Sequence, residues 1–500
     1  GGEDDPPAVR RPHRLQKRQG AVHVHVVVVD GARLALECRT PLSIGAEKGG
    51  ELDDLVLATD ANGLPTIPGS GLAGVLRHLY GDGADDLFGY QSGDDGQASD
   101  LLVSWGHVLG SHGQPVDGLL LGQESGRLED DRLLAFLARA AERPSKRDRV
   151  AINHRGTAAD RTKYDRSVVP AGVRFAVELR LWSASLDDGR WTRLLDLLGD
   201  RRLRLGGQTR SGLGGIDVVA MHCGSFDLTK PDHASAFATV GRRLGGTVGL
   251  EPRAVAVRPS DVTATLRLVP ESFWRVGQGD QPLRDVAPHQ KPADLLPLTE
   301  HRVVWNKGRA RIAEGQILLP GSSVKGALAH RVAFHDCRWR EIWAEDLGSD
   351  ALDRFDKSAE SPAVRELFGW QRDDRGGSED APAGRAGRLV IDDVFVDRST
   401  VKPCGQMHNV IDRFSGGVRQ HMLFEEELLH GGDIELKLDI QHAWIIPADA
   451  RRALALALED LCRGRLALGA GSTRGHGYFT GSIEWSDGGK WITAEQEVGA

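Results

Sequence analysis

The feature that most constrains the fold of this chain is a motif that occurs twice, far apart in the sequence. The first copy reads IPGSGLAGVLRH at Ile67–His78, and the second reads LPGSSVKGALAHR at Leu319–Arg331. In each copy an apolar residue typical of a strand precedes Pro-Gly-Ser, and apolar residues then recur at helical spacing. The pattern predicts one strand-to-helix unit that the chain uses twice.

Three further landmarks follow this motif in the same order in both parts of the chain. They are an LFG tripeptide, a polar loop that leads into a strand, and a glycine-rich turn before a closing strand. Their positions are Leu87–Gly89, Val168–Leu181 and Arg202–Val219 in the first part, and Leu367–Gly369, Leu428–Leu438 and Arg465–Gly481 in the second. Four collinear matches are hard to obtain by chance, so they indicate that one domain was duplicated. The period is too long for a solenoid.

The chain has 500 residues, which is enough for two domains with separate cores. The polar, weakly patterned segment Gly224–Asp261 separates the two copies. The predicted division is a basic N-terminal tail at 1–20, a first domain at 21–222, a linker at 223–260, a second domain at 261–487 and a C-terminal tail at 488–500.

The strand and helix signals have the order β-α-β-β-α-β in each half. Ala21–Asp30 is rich in β-branched residues and predicts an inner strand, paired with Arg33–Cys38 across an Asp30-Gly31 turn. The other predicted elements are Ser70–Leu79, Arg174–Trp182 and Trp191–Leu198 in the first half, and Val262–Val269, Arg388–Val396, Asp433–Ile440 and Ala448–Arg463 in the second. This order predicts an α+β fold of two tandem ferredoxin-like domains with large loop insertions, the architecture of the RNA-recognition motif.

The composition is typical of a soluble globular protein, with 40% hydrophobic and 27% charged residues. No stretch has the length of a membrane span and the charged N-terminus does not resemble a signal peptide, so we expect a cytoplasmic protein without a membrane partner. The five cysteines show no disulfide or zinc-finger pattern, which predicts reduced thiols. A zinc site formed by Cys404, His408, Cys337 and His335 stays an alternative, although their spacing matches no known ligand pair. Because the net charge is −8, nucleic-acid binding requires local basic patches.

The start of each Pro-Gly-Ser helix is a candidate anion site. Proline fixes φ, glycine permits close approach of the backbone, and serine offers an N-cap oxygen while the amides beyond it face outward. Such helix starts bind phosphate groups, and nearby positive side chains strengthen the binding. The candidate phosphate-binding residues are Gly69, Ser70, Arg77, Gly321, Ser322, Ser323 and Lys325. An ordinary helix cap is the alternative interpretation.

The glycine-rich turns are the second candidate anion site. They read GGQTRSGLG at Gly206–Gly214 and AGSTRGHG at Ala470–Gly477, with Thr-Arg in the middle of each. Successive glycines aim several N–H groups at one point, and arginine supplies a bidentate fork for phosphate. Neither Walker nor Rossmann spacing is present. The candidate residues are Gly207, Thr209, Arg210, Ser211, Gly471, Ser472, Thr473 and Arg474, and a purely structural turn is the alternative.

These motifs resemble those of the RAMP superfamily. The resemblance rests on the Pro-Gly-Ser helix, the LFG tripeptide, the glycine-rich turn, and an Asp-Arg loop (Ile411-Asp412-Arg413) before Leu423–Glu427. More narrowly, each half is similar to a backbone subunit of type III CRISPR effectors, so the whole chain resembles a tandem fusion of two such subunits. The similarity covers most of the chain outside the termini and the linker.

The resemblance implies a helical filament of RAMP domains that holds a guide RNA in antiviral defence, with a loop of each domain displacing a base of the guide–target duplex. The implied partners are crRNA, single-stranded target RNA and other CRISPR effector subunits, namely further RAMP backbone subunits, a large subunit and a small subunit. The residues named above become candidates for RNA binding, and the loop arginines Arg155, Arg413 and Arg419 join them. The first half reads Asn153-His154-Arg155 where the second reads Ile411-Asp412-Arg413.

The resemblance also implies where target RNA is cut. In family members that cut, an aspartate in the loop before the Pro-Gly-Ser helix is needed for cleavage that depends on a divalent metal. The family's Asp-x-x-Val pattern falls on Asp53, with Asp54 as its neighbouring alternative, and in the second half Asp294 is the candidate because Asp294-Leu295-Leu296 resembles Asp54-Leu55-Val56. Asp53 and Asp294 are thus the candidate ligands of Mg²⁺ or Mn²⁺. His301-Arg302-Val303-Val304 also fits the pattern, and on that alignment the second half lacks the carboxylate.

Three functions fit these residues. The leading hypothesis is a backbone subunit that binds crRNA along two fused RAMP domains and acts as a metal-dependent endoribonuclease on the paired target. The rival is a structural RNA-binding subunit in which neither half cuts. The third, a guide-processing endoribonuclease, is disfavoured by the doubled backbone-type motif and by the lack of a clear set of catalytic histidines.

Overall fold

The computed structural model describes residues 27–45, 57–142, 145–153, 156–343, 361–371 and 384–493. The first half of the chain forms an antiparallel sheet with two helices. Its main elements are β1 (Val28–Cys38), α1 (Gly69–Tyr80), β2 (Leu101–Val103), β3 (Gly106–Val108), β4 (Arg174–Ser183), α2 (Gly189–Leu197) and β5 (Ile216–Asp227). In the sheet β1 lies between β5 and β4, and β2 and β3 pair with the other edge of β4.

The second half repeats this arrangement. Its main elements are β6 (Val262–Pro270), β7 (Thr299–Asn306), β8 (Arg309–Leu319), α3 (Gly321–Trp339), β9 (Leu389–Ile391), β10 (Val394–Val396), β11 (Val401–His408), β12 (Phe424–Gly431), β13 (Ile434–Ile440), α4 (Ala448–Cys462) and β14 (Phe479–Trp485). Here β6 lies between β14 and β13, and β9 pairs with the other edge of β13. The shared strand order confirms the predicted α+β class and the two tandem ferredoxin-like domains.

Shorter elements occupy the insertions. The short strands are Thr66–Ile67, Tyr90–Ser92, Asp95–Gln97, Ser145–Lys146, Ser167–Val168, Glu251–Pro252, Phe273–Trp274, Gly369–Gln371 and Gly384–Ala386. The remaining helices are Asp85–Phe88, Arg127–Asp130, Arg132–Glu142, Pro231–Thr239, Pro362–Phe368 and Lys490–Thr493, and the 3₁₀ turns are Gly122–Gly126, Arg398–Thr400, Ala443–Ile445 and Ser472–Arg474. Within the described part of the chain, none of the helices combines the length and the hydropathy of a membrane span.

Each half has its own hydrophobic core between its sheet and its helices. In α1 the buried Leu72 and Leu76 lie one turn apart, and in α3 the buried Val324 and Leu328 have the same spacing. Residues four apart lie on one face of a helix, so the apolar positions of the repeated motif form the face that packs on the sheet. The core residues of the motif are therefore the ones that the helical periodicity indicates.

The predicted turn at Asp30-Gly31 is wrong, because β1 continues through both residues. Asp30 pairs with Ser225 of β5 on one side and with Leu181 of β4 on the other. The hydroxyl of Ser225 also donates a hydrogen bond to the Asp30 carboxylate. Pairing on both edges of a central strand outweighs the local turn preference of Asp-Gly. The residues before 27, including most of the predicted first strand, lie outside the described part.

The segment predicted as a linker adds structure to the first half. β5 continues to Asp227, so the boundary predicted at 222 falls inside a strand. The following helix packs back on this strand, where Phe226, Val240 and Leu250 form a small apolar cluster. Arg33 of β1 donates to the carbonyl of Gly241 at 2.7 Å. The apolar residues that make these contacts are too sparse to give a periodic signal in the sequence.

The strand predicted at Arg388–Val396 is two strands with Asp392 and Asp393 between them. β9 pairs with β13, and β10 pairs with β8 instead. The two aspartates thus stand where the chain leaves one sheet for another, beside the start of α3. A run of apolar residues on both sides hides this change of partner in the sequence.

The two halves meet where the first glycine-rich turn touches the start of α3. Gly212 of the turn forms a parallel bridge with Asp392. The amide of Gly321 donates to the carboxylate of Asp393 at 2.8 Å. A Cβ on Gly212 would lie 1.9 Å from the Oδ1 atom of Asp393, so this contact leaves no room for a side chain.

Arginines of the first half bind the two aspartates of the second. Arg39 and Arg204 donate to Asp392, and Arg147 donates to the buried Asp393. Arg147 also donates to Glu300 at 2.6 Å. We name this set the interdomain lock, and its members are Arg39, Arg147, Arg204, Glu300, Asp392 and Asp393.

The hairpin of β7 and β8 forms a second contact between the halves. Val303 of β7 lies in the hydrophobic core of the first half, and its amide donates to Ala171 O at 2.8 Å. The indole of Trp305 donates to Gly172 O at 2.8 Å, and the guanidinium of Arg174 lies 4.2 Å from the centre of that ring. The loop before the second Pro-Gly-Ser helix therefore reaches across to the neighbouring domain.

Candidate nucleic-acid interface

Proline, and not serine, stands at the N-cap of both Pro-Gly-Ser helices. Pro68 precedes α1 and Pro320 precedes α3, and neither cap residue makes a side-chain hydrogen bond. The predicted serine caps are therefore wrong, because Ser70 and Ser322 are the second residues of their helices. Ser70 is exposed and Ser322 is half-buried.

The glycine of the motif lets each helix start touch a strand. A Cβ on Gly69 would lie 2.4 Å from Val103 O, and a Cβ on Gly321 would lie 2.4 Å from Ile391 O. Any side chain would separate the helix from the strand, so the glycine has a packing role in both halves. The equal distances show that the two helix starts have the same geometry.

The two glycine-rich turns have the same backbone geometry. Superposing that geometry shifts the alignment of the two sequences by one residue from the one that matches their Thr-Arg pairs. In each turn the N–H of a leucine donates to the carbonyl of the glycine nine residues later, at 2.9 Å in the first and 2.8 Å in the second. The equivalent positions are Leu205 and Leu468, Gly214 and Gly477, Arg210 and Thr473, and Ser211 and Arg474. The two arginines are therefore not equivalent, which corrects the sequence alignment.

The backbone amides at the bends of these turns bond within the protein. In the first turn the amide of Gly207 donates to Ser43 O and that of Ser211 to Gln208 O, both at 2.9 Å. In the second turn the amide of Arg474 donates to Gly471 O at 2.8 Å. These three N–H groups stabilise the turns and are not free to bind an anion, whereas a phosphate contact by the other residues of the predicted cradle stays a prediction. The carbonyl of Thr209 likewise accepts from Arg204 at 3.2 Å.

Three cations gather at the first turn, and we name them the cation cluster: Arg149, Arg210 and Lys325. Burial, with the charges of Arg210 and Arg149, lowers the pKa of Lys325 to about 8. Burial, with the charges of Arg204 and Arg202, lowers the pKa of Arg210 to about 10. Among the described residues, none of the three forms an ion pair with a carboxylate. Like charges held together at low exposure favour an anion that compensates them.

Neutral groups are the hydrogen-bond partners of this cluster. Arg149 donates to Gln208 Oε1 at 2.9 Å and to Ser211 O at 3.2 Å, and Arg210 donates to Gln441 of the second half. Burial also lowers the pKa of Arg149. The cluster thus joins residues of both halves, and its positive charge is oriented but not neutralised.

Two cavities adjoin the cluster. One of about 540 Å³ lies between the halves at the start of α3, and residues on its wall include Arg147, Arg149, Gln278, Ser322 and Ser323. The other, of about 290 Å³, is lined in part by Arg210, Arg388, Gln441 and His442. The predicted residues Ser322, Ser323 and Arg210 thus face space that a nucleotide can enter.

At the second turn, by contrast, the arginine is paired with a carboxylate. Arg474 donates to the buried carboxylate of Glu426 at 2.7 Å, and Arg275 donates to the same carboxylate at 2.7 Å. His408 Nε2 lies 3.1 Å from Glu426. Burial alone would raise the pKa of Glu426, but the hydrogen bond from Arg275 and the nearby positive charges hold it below its ordinary value. Arg474 is therefore already paired, while Ser472 and Thr473 are exposed beside it.

The loop between β11 and β12 projects exposed apolar and basic side chains. Phe414 is 93% exposed, and Ile411, Val418 and Leu423 are also exposed. The predicted RNA-binding residues Arg413 and Arg419 are exposed on the same loop, while the Asp412 carboxylate accepts hydrogen bonds from the amides of Phe414 and Ser415 at 3.1 and 2.8 Å. Asp412 therefore shapes the loop. Arg155 of the first half lies outside the described residues.

Asp294 is held by two donors. Its carboxylate accepts from Lys291 Nζ at 2.7 Å and from the amide of Glu425 at 3.0 Å, and the hydrogen bond from Lys291 lowers its pKa. A protein site for Mg²⁺ needs several oxygen ligands, and this single carboxylate, already paired with an ammonium group, does not fit one by itself. Asp53 and Asp54 lie outside the described residues, so their role in cleavage stays a prediction.

Other predicted residues have partners within their own domain. Arg77 donates to the carboxylate of Asp85 and to the carbonyl of Gly89, the last residue of the LFG tripeptide. His301 Nδ1 lies 3.4 Å from the amide of Gly315, and its ring meets that of Phe136 edge to face. These contacts give both side chains a structural role, and an RNA contact by Arg77 stays a prediction.

The suggested zinc ligands do not come together. His335 Nε2 lies 2.8 Å from Asp460, whereas His408 faces Glu426. No group of three or more His, Cys, Asp or Glu residues that suits a metal ion occurs within the described ranges. All five cysteines are free thiols, as the sequence predicts.

Sequence reasoning missed Arg149, Gln441, Phe414 and the lock aspartates. Arg149 and Gln441 are separated by most of the chain, and only the packing of the two halves brings them beside the first turn. Phe414 gave a local signal together with the exposed Ile411 and Val418, because several exposed apolar side chains on one loop are typical of an interaction surface.

The comparison with known families agrees with this geometry. A family model described as the RAMP superfamily matches residues 35–217 and 267–480, which together are more than half of the chain. The chain belongs to the RAMP superfamily, with one RAMP region in each half. It is thus a CRISPR-associated RNA-binding subunit, for which crRNA and other components of a CRISPR complex are the general partners. A search of curated proteins returned no match.

Proposed function

We propose that this chain is a backbone subunit of a type III CRISPR effector complex, in which two fused RAMP domains bind one guide RNA. The observation that carries the proposal is the cation cluster of Arg149, Arg210 and Lys325. It lies between the two domains, among the described residues it has no carboxylate partner, and its pKa values are lowered by burial and by the positive charges of neighbouring side chains. A phosphodiester of the guide is the anion that relieves this repulsion.

The location of the cluster supports a guide that runs along both halves. Arg149 and Arg210 come from the first half and Lys325 from the second, so one phosphate at this point contacts both domains. The cavity of about 540 Å³ beside the cluster is lined by arginine, glutamine and serine side chains, together with the carboxylates of Asp148, Asp280 and Glu300.

The exposed loop of the second half supports a role in displacing a base. Phe414 is almost fully exposed, and exposed aromatic side chains stack on unpaired bases at a gain of about 1–3 kcal/mol each. Arg413 and Arg419 on the same loop are placed to contact phosphates. We infer that this loop inserts into the guide–target duplex.

For the same complex we propose metal-dependent cleavage of the paired target RNA at the loop before the first Pro-Gly-Ser helix, at Asp53 or Asp54. RNA supplies its own nucleophile in the 2′-hydroxyl, so a positioned carboxylate and a strained phosphodiester suffice. Asp294 is the corresponding candidate in the second half. Its ion pair with Lys291 favours a second candidate function for that half, a structural RNA-binding domain that does not cut.

The test is cleavage of a complementary target RNA by the assembled complex with Mg²⁺ or Mn²⁺ added. Cleavage that disappears at one position in Asp53→Ala or Asp54→Ala, and persists there in Asp294→Ala, supports a cutting first half and a structural second half. Asp285→Ala is the matched control, because Asp285 is an exposed carboxylate that also precedes the second Pro-Gly-Ser helix. Cleavage that is unchanged in Asp53→Ala, Asp54→Ala and Asp294→Ala contradicts the proposed sites.

Guide binding has its own test, which does not depend on cleavage. RNA that copurifies with the chain is sequenced and sized. Fragments derived from a CRISPR array support the proposal, and a protein that carries no RNA after purification at low salt contradicts it.

A further inference from the structure

The interdomain lock uses one copy of each repeated element, and the other copy of each is open. Gly475 of the second turn is equivalent to Gly212 of the first. A Cβ on Gly475 meets nothing within 4 Å, whereas one on Gly212 would lie 1.9 Å from Asp393 Oδ1. In the first half, Gly69 at the start of α1 is equivalent to Gly321 at the start of α3, and Ser70 beside Gly69 is exposed. The chain therefore presents two faces that have the backbone geometry of its own internal joint.

The open face of the first half lacks the aspartates of the lock. Between β2 and β3 the chain reads Ser104-Trp105, in the position that Asp392-Asp393 has between β9 and β10. The equivalence follows from the helix starts, which contact Val103 and Ile391 at the same distance. Trp105 is 51% exposed, while Asp393 is buried. An exposed indole replaces a buried carboxylate at the centre of this face.

The open face of the second half lacks the arginines of the lock. The amide of Arg39 donates to Gly215 O and that of Glu271 to Tyr478 O, both at 2.9 Å, which makes Glu271 the counterpart of Arg39. The registers of the turns and of the hairpin strands give the remaining counterparts. They are Ala467 for Arg204 and Gln406 for Arg147. All three cations of the lock are thus absent from this face.

We propose that each open face docks a backbone-type domain of a different subunit, and that the chain does not stack on a second copy of itself. Stacking two copies in the geometry of the internal joint would place Glu271, Ala467 and Gln406 opposite Ser104 and Trp105. None of the ion pairs of the lock could form, and Glu271 would be desolvated beside an indole. The kind of partner rests on the proposed function, whereas the exclusion of self-stacking does not.

The face around Trp105 fits a partner with an apolar edge. Leu102 is exposed next to it, and an exposed tryptophan with a neighbouring aliphatic side chain is typical of the anchor of an interface. A partner that carried arginines at the positions of Arg39 and Arg204 would bury them without an acceptor. The residues of the interdomain lock therefore pair the two halves within one chain and do not pair one chain with a second copy of it.

The first experiment rebuilds the lock between two molecules. One variant carries Ser104→Asp and Trp105→Asp, the other carries Glu271→Arg, Ala467→Arg and Gln406→Arg, and the RNA-free full chains are studied by analytical ultracentrifugation. We expect the wild type and each variant alone to sediment as monomers, and the equimolar mixture to sediment as a dimer. Wild-type chains that assemble head to tail overturn the proposal. A mixture that stays monomeric, although both variants keep the wild-type circular dichroism spectrum, also overturns it.

The second experiment leaves the charges of both faces unchanged. A photoreactive p-benzoylphenylalanine replaces Trp105 in the complex assembled in cells that produce all its subunits, and the adduct formed on irradiation is identified by mass spectrometry. An adduct with a subunit of different sequence is the expected result, and an adduct with another copy of this chain overturns the proposal. Neither experiment uses RNA binding or cleavage as its readout, so a failure here is distinguishable from a failure of the proposed function.

Discussion

The two glycine-rich turns of this chain have one backbone and two electrostatic environments. At the first turn Arg210 lies with Lys325 and Arg149, and among the described residues no carboxylate pairs with them. At the second turn Arg474 shares the buried carboxylate of Glu426 with Arg275. Duplication therefore preserved the positions that the backbone defines, while single side chains decide whether a position is an open cation site or a closed ion pair.

The largest effect on stability is expected from breaking the interdomain lock, which holds the first glycine-rich turn against the second half. Arg147→Ala leaves Asp393 and Glu300 buried without their cation, which costs about 3–5 kcal/mol when one partner of a buried pair is removed. Chemical denaturation measures the change in the free energy of unfolding. Arg132→Ala is the control, because Arg132 and Glu314 form an exposed pair between the same halves at 3.7 Å, worth about 0–1 kcal/mol. Equal losses in the two variants would contradict the role of the lock.

A second experiment compares equivalent glycines of the two turns. Gly212 and Gly475 have φ of 98° and 82°, so alanine is strained at both, by about 1–2 kcal/mol. We expect Gly475→Ala to show this strain alone and Gly212→Ala to lose more, because its Cβ would also collide with Asp393. Thermal and chemical unfolding of both variants provide the measurement. A larger loss for Gly475→Ala would show that the joint does not confine the first turn.

A smaller effect is the pH dependence of RNA affinity at the first turn. The pKa of Lys325 is lowered to about 8, so the side chain loses its charge as the pH rises through this value. A phosphate raises that pKa in the complex, and affinity therefore falls as the pH rises above about 8, by at most about tenfold per pH unit for one proton. Titrations between neutral and alkaline pH measure the slope, and Lys325→Arg should flatten it. An equal slope in both proteins would place the titrating group elsewhere.

The fold could be predicted from the sequence because the duplicated motif repeats its periodicity, its glycines and its order. Gly69 and Gly321 were recognisable, since a glycine before an apolar helical pattern has a local meaning. The continuity of β1 through Asp30 could not be read locally, because it depends on the neighbouring strands on both sides. Pairing partners that are distant in the chain decided this element.

The sequence predicted the segments that form the candidate site, but it did not predict which side chains pair with one another there. The first turn and the start of α3 were both found, but their contact with each other was not, because nothing in either segment encodes which domain packs on it. The repeated Thr-Arg suggested that Arg210 and Arg474 are equivalent, and the backbone register shows that they are not. The shared Thr-Arg pair was a weaker guide to the alignment of the turns than the positions of the glycines, because the shared glycines occupy positions where the backbone has a positive φ.

The most direct test of the account is the salt dependence of guide-RNA affinity for Arg210→Gln and Arg474→Gln. We predict that Arg210→Gln weakens binding and lowers the slope of log K against log salt by about 0.7, the value for one lost phosphate contact on a single strand. Arg474→Gln should leave the slope close to that of the wild type, because Arg474 is already held in an ion pair with Glu426. Equal slopes for both variants, or a larger change for Arg474→Gln, would contradict the claim that the two turns differ in function.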